Sequence, residues 1–140
     1  MIDVQAKLKH LLENELSLFV ENKGHLVYQS KDAMLKPLYL CLTEHPEYLQ
    51  GAVVVDKIVG RAAALLFVLG KVERVITPLA SESAIDVLDA AGIEWFAERR
   101  IPYIVNRDRT GMCPMEQLAN SCATPQEFYT RLGEKMGAKN

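Results

Sequence analysis

The sequence predicts an α/β protein: a three-layer α/β/α sandwich around a mixed sheet that opens with a β-hairpin. Three observations favour this class. A helical pattern precedes two short strand-like runs, a buried strand leads into a strongly apolar helix, and strands then alternate with helices. Such alternation is typical of parallel strands with helices packed on the sheet. A length of 140 residues predicts one domain, residues 1–140.

The first segment predicts a helix followed by the hairpin. From Ile2 to Glu15, apolar residues recur at helical spacing, and Asp3 is placed to cap the helix. The runs Leu16 to Val20 and Leu26 to Tyr28 flank a short polar connection that contains Gly24. Two such runs joined by a glycine-containing connection predict an antiparallel hairpin.

The stretch from Gly51 to Lys71 predicts the central strand and helix. Ala52 to Val55 is an apolar run without alternation, which is typical of a strand buried on both faces. Asp56 is a residue type that caps helices, and an apolar helical pattern is read from Lys57 onward. Gly70 is expected to end this helix in a left-handed conformation.

The remaining segments extend the alternation of helices and strands. Before the central stretch, a helix is expected to begin at Ser30 or Asp32 and to end at His45-Pro46. After it, the predicted elements are a strand from Val72 to Thr77, a helix from Glu82 to Ala91 that ends at Gly92, and strands from Ile93 to Ala97 and from Ile101 to Val105, separated by Arg99-Arg100. A short helix that begins at Cys113-Pro114 and a last helix capped by Thr124 complete the chain. The run Ile101 to Val105 is expected at a sheet edge, where it could pair two subunits in a homodimer.

Charge and cysteine content narrow the possible functions. The 16 basic and 18 acidic side chains give a net charge of -2, which provides no general field for nucleic acid or an anionic membrane. No apolar run reaches the ~20 residues of a membrane-spanning helix. Cys41, Cys113 and Cys122 are an odd number, and no apolar signal segment follows Met1. We therefore expect reduced thiols and a cytoplasmic location.

A ligand pocket is expected beyond the carboxyl ends of the parallel strands. Lys57, Gly60 and Arg61 would share one face at the start of the central helix, where two cations are unfavourable unless something compensates them. In one interpretation an anionic ligand approaches the bare Gly60 backbone between the two cations. In the other, Arg61 pairs with Glu82 or Glu116 of the same chain, and Gly60 admits a neighbouring helix.

Asp56, Thr77 and Ser81 complete the predicted ligand-binding residues, because they follow or end neighbouring strands. Cys113 opens a helix, where backbone N–H groups lower the pKa of a thiol. It could act as a nucleophile with Glu116 as its proton partner. Alternatively, Cys113 is a buried cap residue and Glu116 braces its own helix in the capping-box position.

Two blocks resemble the cytidine-deaminase-like fold: VVDKIVGRAAALL at Val54 to Leu66 and GMCPME at Gly111 to Glu116. The order helix, hairpin, helix, strand, helix, strand is similar to that fold as well. Nearly the whole chain resembles one of its small, uncharacterised prokaryotic families, a domain of unknown function. In working zinc deaminases, H-x-E opens one helix and P-C-x-x-C opens the next; the His and Cys residues hold zinc and the Glu moves protons.

This sequence departs from those motifs at each of the functional positions. Gly60 and Ala62 stand at the His and Glu positions, or Arg61 and Ala63 if the motif is moved by one residue. After Pro78, the two cysteine positions hold Leu79 and Glu82. The resemblance therefore implies a nucleotide-like ligand but no zinc, no other cofactor and no zinc-dependent deamination.

The predicted function is a cytoplasmic domain that binds a small, anionic, nucleotide-like ligand. Two alternatives remain open. One is a non-zinc enzyme that uses Cys113 and Glu116 on a nucleotide-related substrate, and the other is a homo-oligomeric assembly protein.

Overall fold

The computed structural model describes residues 3–32, 35–106 and 108–137. Within these ranges the elements are α1 (Val4–Glu13), β1 (Leu18–Asn22), β2 (His25–Ser30), α2 (Lys36–Glu44), α3 (Pro46–Leu49), β3 (Val53–Asp56), α4 (Arg61–Gly70), β4 (Arg74–Ser81), α5 (Glu82–Ala90), β5 (Glu94–Ile101), α6 (Pro114–Asn120) and α7 (Pro125–Gly137). The strands form one five-stranded sheet in the order β2-β1-β3-β4-β5. β1 is antiparallel to β2 and β3, whereas β3, β4 and β5 are parallel. The predicted mixed α/β architecture is confirmed.

Both faces of the sheet carry a hydrophobic cluster. Phe19 and Val55 belong to the cluster formed with α1, and their neighbours Val20 and Val54 belong to the cluster formed with α2 to α7. Successive residues of a strand point to opposite faces, so these two clusters lie on opposite sides of the sheet. The helices are therefore layered unequally, with α1 on one face and the others on the opposite face.

The first helix and the hairpin form where the sequence predicted them. The Asp3 carboxylate accepts a hydrogen bond from the Ala6 N–H at 3.0 Å, as expected of an N-cap. The hairpin turn is tighter than predicted, because Lys23 and Gly24 alone connect the strands, with φ of 53° and 80°. Two consecutive positive φ angles match the twist of an antiparallel hairpin.

The second helix begins later than predicted. Ser30 still pairs with Leu18 as the last residue of β2, and its hydroxyl accepts a hydrogen bond from the Asp32 N–H at 3.0 Å. Neither residue opens a helix, and α2 starts at Lys36. A second difference follows at Pro46, which begins the short helix α3 where the sequence predicted only the end of a helix.

The central helix begins at Arg61, not at Lys57. The segment before it stays extended because it pairs with β4: the Val59 N–H donates to Leu79 O at 2.9 Å, and the Ser81 N–H donates to Val59 O at 3.0 Å. The predicted N-cap role of Asp56 was wrong, since Asp56 is the last residue of β3. The shared helical face of Lys57, Gly60 and Arg61 was wrong for the same reason.

At the other end of α4, Lys71 and not Gly70 adopts the left-handed conformation, with φ of 62°. Gly70 is the last helical residue and is buried. A Cβ atom at this position would lie 3.1 Å from Leu49 Cβ, so the glycine is explained by close packing against α3.

The strands β4 and β5 are longer than predicted. β4 continues through Pro78 to Ser81, and β5 is one strand from Glu94 to Ile101. Arg99 and Arg100 do not break it, because they pair with Leu79 and Ala80 of the extended β4. The predicted strand Ile101 to Val105 was wrong. β5 itself lies at that edge of the sheet.

The predicted helix starts near the end of the chain are confirmed. α6 begins directly after Cys113. At α7, Thr124 Oγ1 accepts from the Glu127 N–H at 3.1 Å, while Glu127 Oε2 accepts from the Ala123 N–H at 3.2 Å. Within the part of the chain that the structure describes, no helix combines the length and apolar character needed to cross a bilayer.

Candidate functional site

A carboxylate from α6 occupies the start of the central helix. Glu116 Oε1 accepts from the Arg61 N–H at 2.7 Å, and Oε2 accepts from the Ala62 N–H at 2.9 Å. The first N–H groups of a helix have no partner within it, and negative charge is favourable there. Gly60 is the N-cap residue of α4 and offers no side-chain cap of its own. Glu116 supplies the cap from a distant part of the sequence.

Gly60 is required by this contact. A Cβ atom at position 60 would lie 2.5 Å from Glu116 Oε1, which is closer than real Cβ atoms approach a neighbour. Gly60 admits the Glu116 side chain of the neighbouring helix α6, which agrees with one part of the second interpretation. The expected ion-pair partners differ, however. The Arg61 side chain donates from Nε to Ala119 O at 3.3 Å, and Glu82 pairs with Arg100 at 2.7 Å.

Glu116 is held almost entirely out of water, with a relative exposure of 5%. This burial raises the pKa of its carboxyl, whereas the N–H groups of Ala62 and Arg61 and the charge of Arg61 act in the opposite direction. The predicted capping-box role of Glu116 in its own helix was wrong. Its oxygen atoms reach α4 because α6 packs against the start of that helix.

A cavity of about 770 Å³ lies beside the Glu116 contact. It opens at the carboxyl end of β3, where α/β sheets commonly bind ligands. Most of its wall is apolar. The polar and charged lining includes Ser17, Lys31, Asp56, Lys57, Asn106, Asp108, Cys113 and Glu116, and the apolar lining includes Leu35, Ile58, Ala62, Ala63, Ile104, Val105 and Met115.

Asp56 contributes another carboxyl group to this cavity, whose lining also includes Glu15 and Asp108. Burial raises its pKa to about 7, and the backbone N–H groups of Ile58 and Lys57 offset only part of this effect. Among the described residues, no side chain forms a hydrogen bond or ion pair with Asp56. Glu116 and Asp56 therefore differ, since Glu116 binds the start of another helix, whereas the partners of Asp56 are backbone N–H groups of the two residues that follow it.

The other predicted ligand-binding residues divide into two groups. Lys57 and Gly60 line the cavity, whereas Arg61, Thr77 and Ser81 lie outside its wall. Thr77 Oγ1 is occupied within its own strand, donating to Leu79 O at 3.0 Å and accepting from Leu79 N–H at 3.1 Å.

Ser81 is also committed elsewhere. Its Oγ caps α5 by accepting from the Ala84 N–H at 3.1 Å, and the residue is fully buried. Lys31 and Asn106, which the sequence did not single out, line the cavity instead. Both lie in connections between elements, where no local pattern indicates the direction of a side chain.

Cys113 lines the cavity and is buried, with 8% relative exposure. Its N–H donates to Ile104 O at 2.8 Å, which holds the start of α6 against the preceding connection. Each oxygen atom of Glu116 accepts an N–H group of α4, and among the described residues no hydrogen bond joins the Glu116 carboxylate to the Cys113 thiol. Within the described ranges, no three His, Cys, Asp or Glu side chains lie close enough together to hold a metal ion.

Together these features define a mixed α/β protein with a ligand-sized cavity at the carboxyl end of a parallel strand and an internal carboxylate on the adjoining helix. Residues 6–136 match the family described as "TM1506: Domain of unknown function (DUF1893)". The chain belongs to the DUF1893 family. The expectation of a domain of unknown function is thereby confirmed.

A solved relative shows the same fold. The crystal structure of a DUF1893 family protein (TM1506) from Thermotoga maritima is similar to this chain with a TM-score of 0.85 and 28% sequence identity. The similarity covers 96% of this chain and 92% of that chain. No curated protein matches the sequence.

Proposed function

We propose that this chain binds a small ligand in the cavity beside Asp56 and Glu116. The carrying observation is the cavity itself. Its volume of about 770 Å³ falls within the ~300–1,000 Å³ typical of small-molecule sites, and its lining combines a mostly apolar wall with a few polar groups.

The ligand is expected to be nucleotide-like, with a flat body inside and an anionic group at the opening. Lys31 and Lys57 line the cavity and are exposed, so they can neutralise such a group. The start of α4 is a less suitable anion site, because the Glu116 carboxylate already binds its N–H groups.

The nucleotide class rests on the proposed relation to cytidine-deaminase-like proteins. Apart from the short helix α3, the elements from α1 through the hairpin to β4 follow the order that carried this resemblance, which supports the proposal. We infer that the chain does not use catalytic zinc, because Gly60 and Ala62 offer no metal-binding side chain. Pro78 and Leu79 lie within β4 and open no helix. We also infer a cytoplasmic location from three free cysteines.

Thermal unfolding against nucleosides, nucleotides, sugar phosphates and zinc tests this function. A ligand at ~100 times its dissociation constant adds ~2.7 kcal/mol, which raises the midpoint by roughly 5–10 °C in a domain of this size. Lys57→Ala should reduce the nucleotide shift. Lys9→Ala is the matched control, since Lys9 lies on α1 outside the cavity and its side chain is 75% exposed.

Three outcomes would contradict the proposal. One is the absence of any shift with the whole panel, and another is an equal loss of the shift in both lysine variants. A shift with zinc alone would replace the nucleotide proposal with a metal site.

A second candidate is an enzyme that uses Cys113. The supporting observation is that the Cys113 side chain lines the same cavity. Rapid alkylation of Cys113, blocked by the stabilising nucleotide, would support this candidate. Equal and slow labelling of Cys41, Cys113 and Cys122, all three of which are buried, would rule it out.

A further inference from the structure

Asp56 is a carboxyl group of the cavity that no side chain of the described residues engages. It ends β3, lines the cavity and has no side-chain partner among the described residues. Glu116 lines the same cavity, but its two oxygen atoms accept the Arg61 and Ala62 N–H groups. A ligand in the cavity would therefore meet one carboxyl group whose partners are backbone N–H groups of the next two residues, and one that already binds another helix.

The surroundings of Asp56 combine charges of both signs. The charged lining residues are Glu15, Lys31, Lys57, Asp108 and Glu116. Glu15, Lys31, Lys57 and Asp108 are exposed, where water screens their charges, whereas Glu116 is buried. Among the described residues, no basic side chain forms an ion pair with Asp56, so its carboxyl is not committed to the charged form by a partner.

We propose that Asp56 recognises an amidine edge of the ligand, meaning an exocyclic amino group next to a ring nitrogen. This inference rests on the proposed function and specifies the end of the ligand that enters the cavity. The carboxyl group and the amidine edge form two parallel hydrogen bonds and share a single proton. The protonated carboxyl donates to the ring nitrogen, and its carbonyl oxygen accepts from the amino group.

The shared proton gives the interaction a pH dependence of known sign. Burial brings the pKa of Asp56 to about 7 in the empty cavity, so the carboxyl carries the required proton below neutral pH. Above this pH the carboxylate faces an unprotonated ring nitrogen, and two acceptors then oppose each other. Binding of an amidine edge should weaken as the pH rises through the pKa of Asp56.

The test compares AMP with 1-deaza-AMP, in which a C–H group replaces the ring nitrogen N1, by isothermal titration calorimetry at about pH 6 and about pH 8. These nucleotides share the phosphate, the ribose and the exocyclic amino group and differ at the ring nitrogen that accepts the carboxyl proton, so phosphate ionisation cancels in the ratio of affinities. The wild type should prefer AMP by roughly ten-fold or more at the lower pH, as for other bidentate base contacts. That preference should fall roughly ten-fold at the higher pH.

Two substitutions separate recognition from structure. Asp56→Asn keeps one donor and one acceptor, so it should retain the AMP preference but lose its pH dependence. Asp56→Ala should lose both. Far-ultraviolet circular dichroism of each variant checks that it is folded.

Equal affinity of the wild type for AMP and 1-deaza-AMP at the lower pH, or an unchanged pH dependence in Asp56→Asn, would overturn the role of Asp56. If both nucleotides still bind and Lys57→Ala weakens them, the proposed function stands and this inference alone fails. If neither nucleotide binds, the nucleotide-binding function and this inference both fail.

Discussion

Gly60 and Glu116 are separated by α4, β4, α5 and β5 in the sequence, yet their roles depend on each other: Glu116 caps α4, and only glycine at position 60 leaves room for its carboxylate. Gly60→Ala should destabilise the protein by roughly 1–3 kcal/mol, because the added methyl group displaces Glu116 and leaves buried hydrogen-bonding groups unsatisfied. Urea unfolding measures this change. The matched control is Gly137→Ala, since a Cβ atom at Gly137 meets nothing within 4 Å. Equal stability of the two variants would show that the contact at Gly60 is not tight.

The Asp56 carboxyl also makes the stability of the empty protein depend on pH. Its pKa is raised from 3.8 to about 7 on folding, so the folded state holds the proton more tightly. Its contribution is fully present below about pH 4 and is lost as the pH rises through about 7.

Asp56→Asn removes this dependence. Its stability relative to the wild type should increase by roughly 2–4 kcal/mol between about pH 4 and about pH 8. Urea unfolding of both proteins across this range provides the measurement. Parallel pH profiles would mean that Asp56 is well solvated in the folded protein.

At the scale of the elements, the two ends of α4 differ most from the sequence prediction. Helical periodicity correctly indicated an apolar helix in this stretch, but the predicted helix wrongly included the residues from Lys57 to Gly60. Within this segment Val59 pairs with β4, and the Lys57 N–H donates to Ser17 O at 2.9 Å. These contacts join segments that are distant in the sequence, and they outweigh the local pattern. The cap supplied by Glu116 is also a contact between distant segments, so no capping residue is recognisable in the sequence just before Arg61.

Lys71 provides a test of the other helix end. A non-glycine residue in the left-handed conformation carries a cost of roughly 1 kcal/mol, so Lys71→Gly should stabilise the protein by about 0.5–1 kcal/mol. Gly70→Ala is the contrasting variant, because its Cβ would meet Leu49 at 3.1 Å. Thermal unfolding should raise the midpoint of the first variant but not that of the second. A lower midpoint for Lys71→Gly would contradict the assigned conformation.

Local patterns predicted much of the remaining architecture. The caps Asp3 and Thr124, the hairpin, and the start of α6 after Cys113 were recognised because each depends on neighbouring residues. The cavity was expected at the correct end of β3. Its lining was predicted only in part, since Lys31 and Asn106 come from connections and Ser81 is used to cap α5.

At the scale of the whole molecule, α7 completes the larger core. Phe128 and Leu132 are fully buried in the cluster that includes α4. Phe128→Ala should cost roughly 3–5 kcal/mol, a large share of the ~5–15 kcal/mol typical of a domain. Leu12→Ala, at a position that is 54% exposed, should change stability by less than about 0.5 kcal/mol. Urea unfolding of both variants checks this, and a small loss for Phe128→Ala would mean that α7 is dispensable.

The sequence left a homodimer open, and the structure places a different strand at the sheet edge through which two subunits could pair. β5 now provides the sheet edge in place of Ile101 to Val105, and its charged residues Glu98 and Arg99 are exposed. Charged side chains on an edge strand commonly oppose pairing with another chain. Light scattering should accordingly give the mass of a monomer; a stable dimer that dissociates in Arg99→Pro would show that β5 pairs after all.

The carboxylate that closes the start of α4 also has a practical consequence for crystallography. Sulfate and phosphate from precipitants often settle on the exposed first turn of a helix. Here the Glu116 carboxylate already binds the N–H groups of that turn, and it fills the space beside Gly60. Crystals grown from concentrated ammonium sulfate should therefore show no anion at Arg61 and Ala62, and any bound sulfate should appear near Lys31 and Lys57 instead.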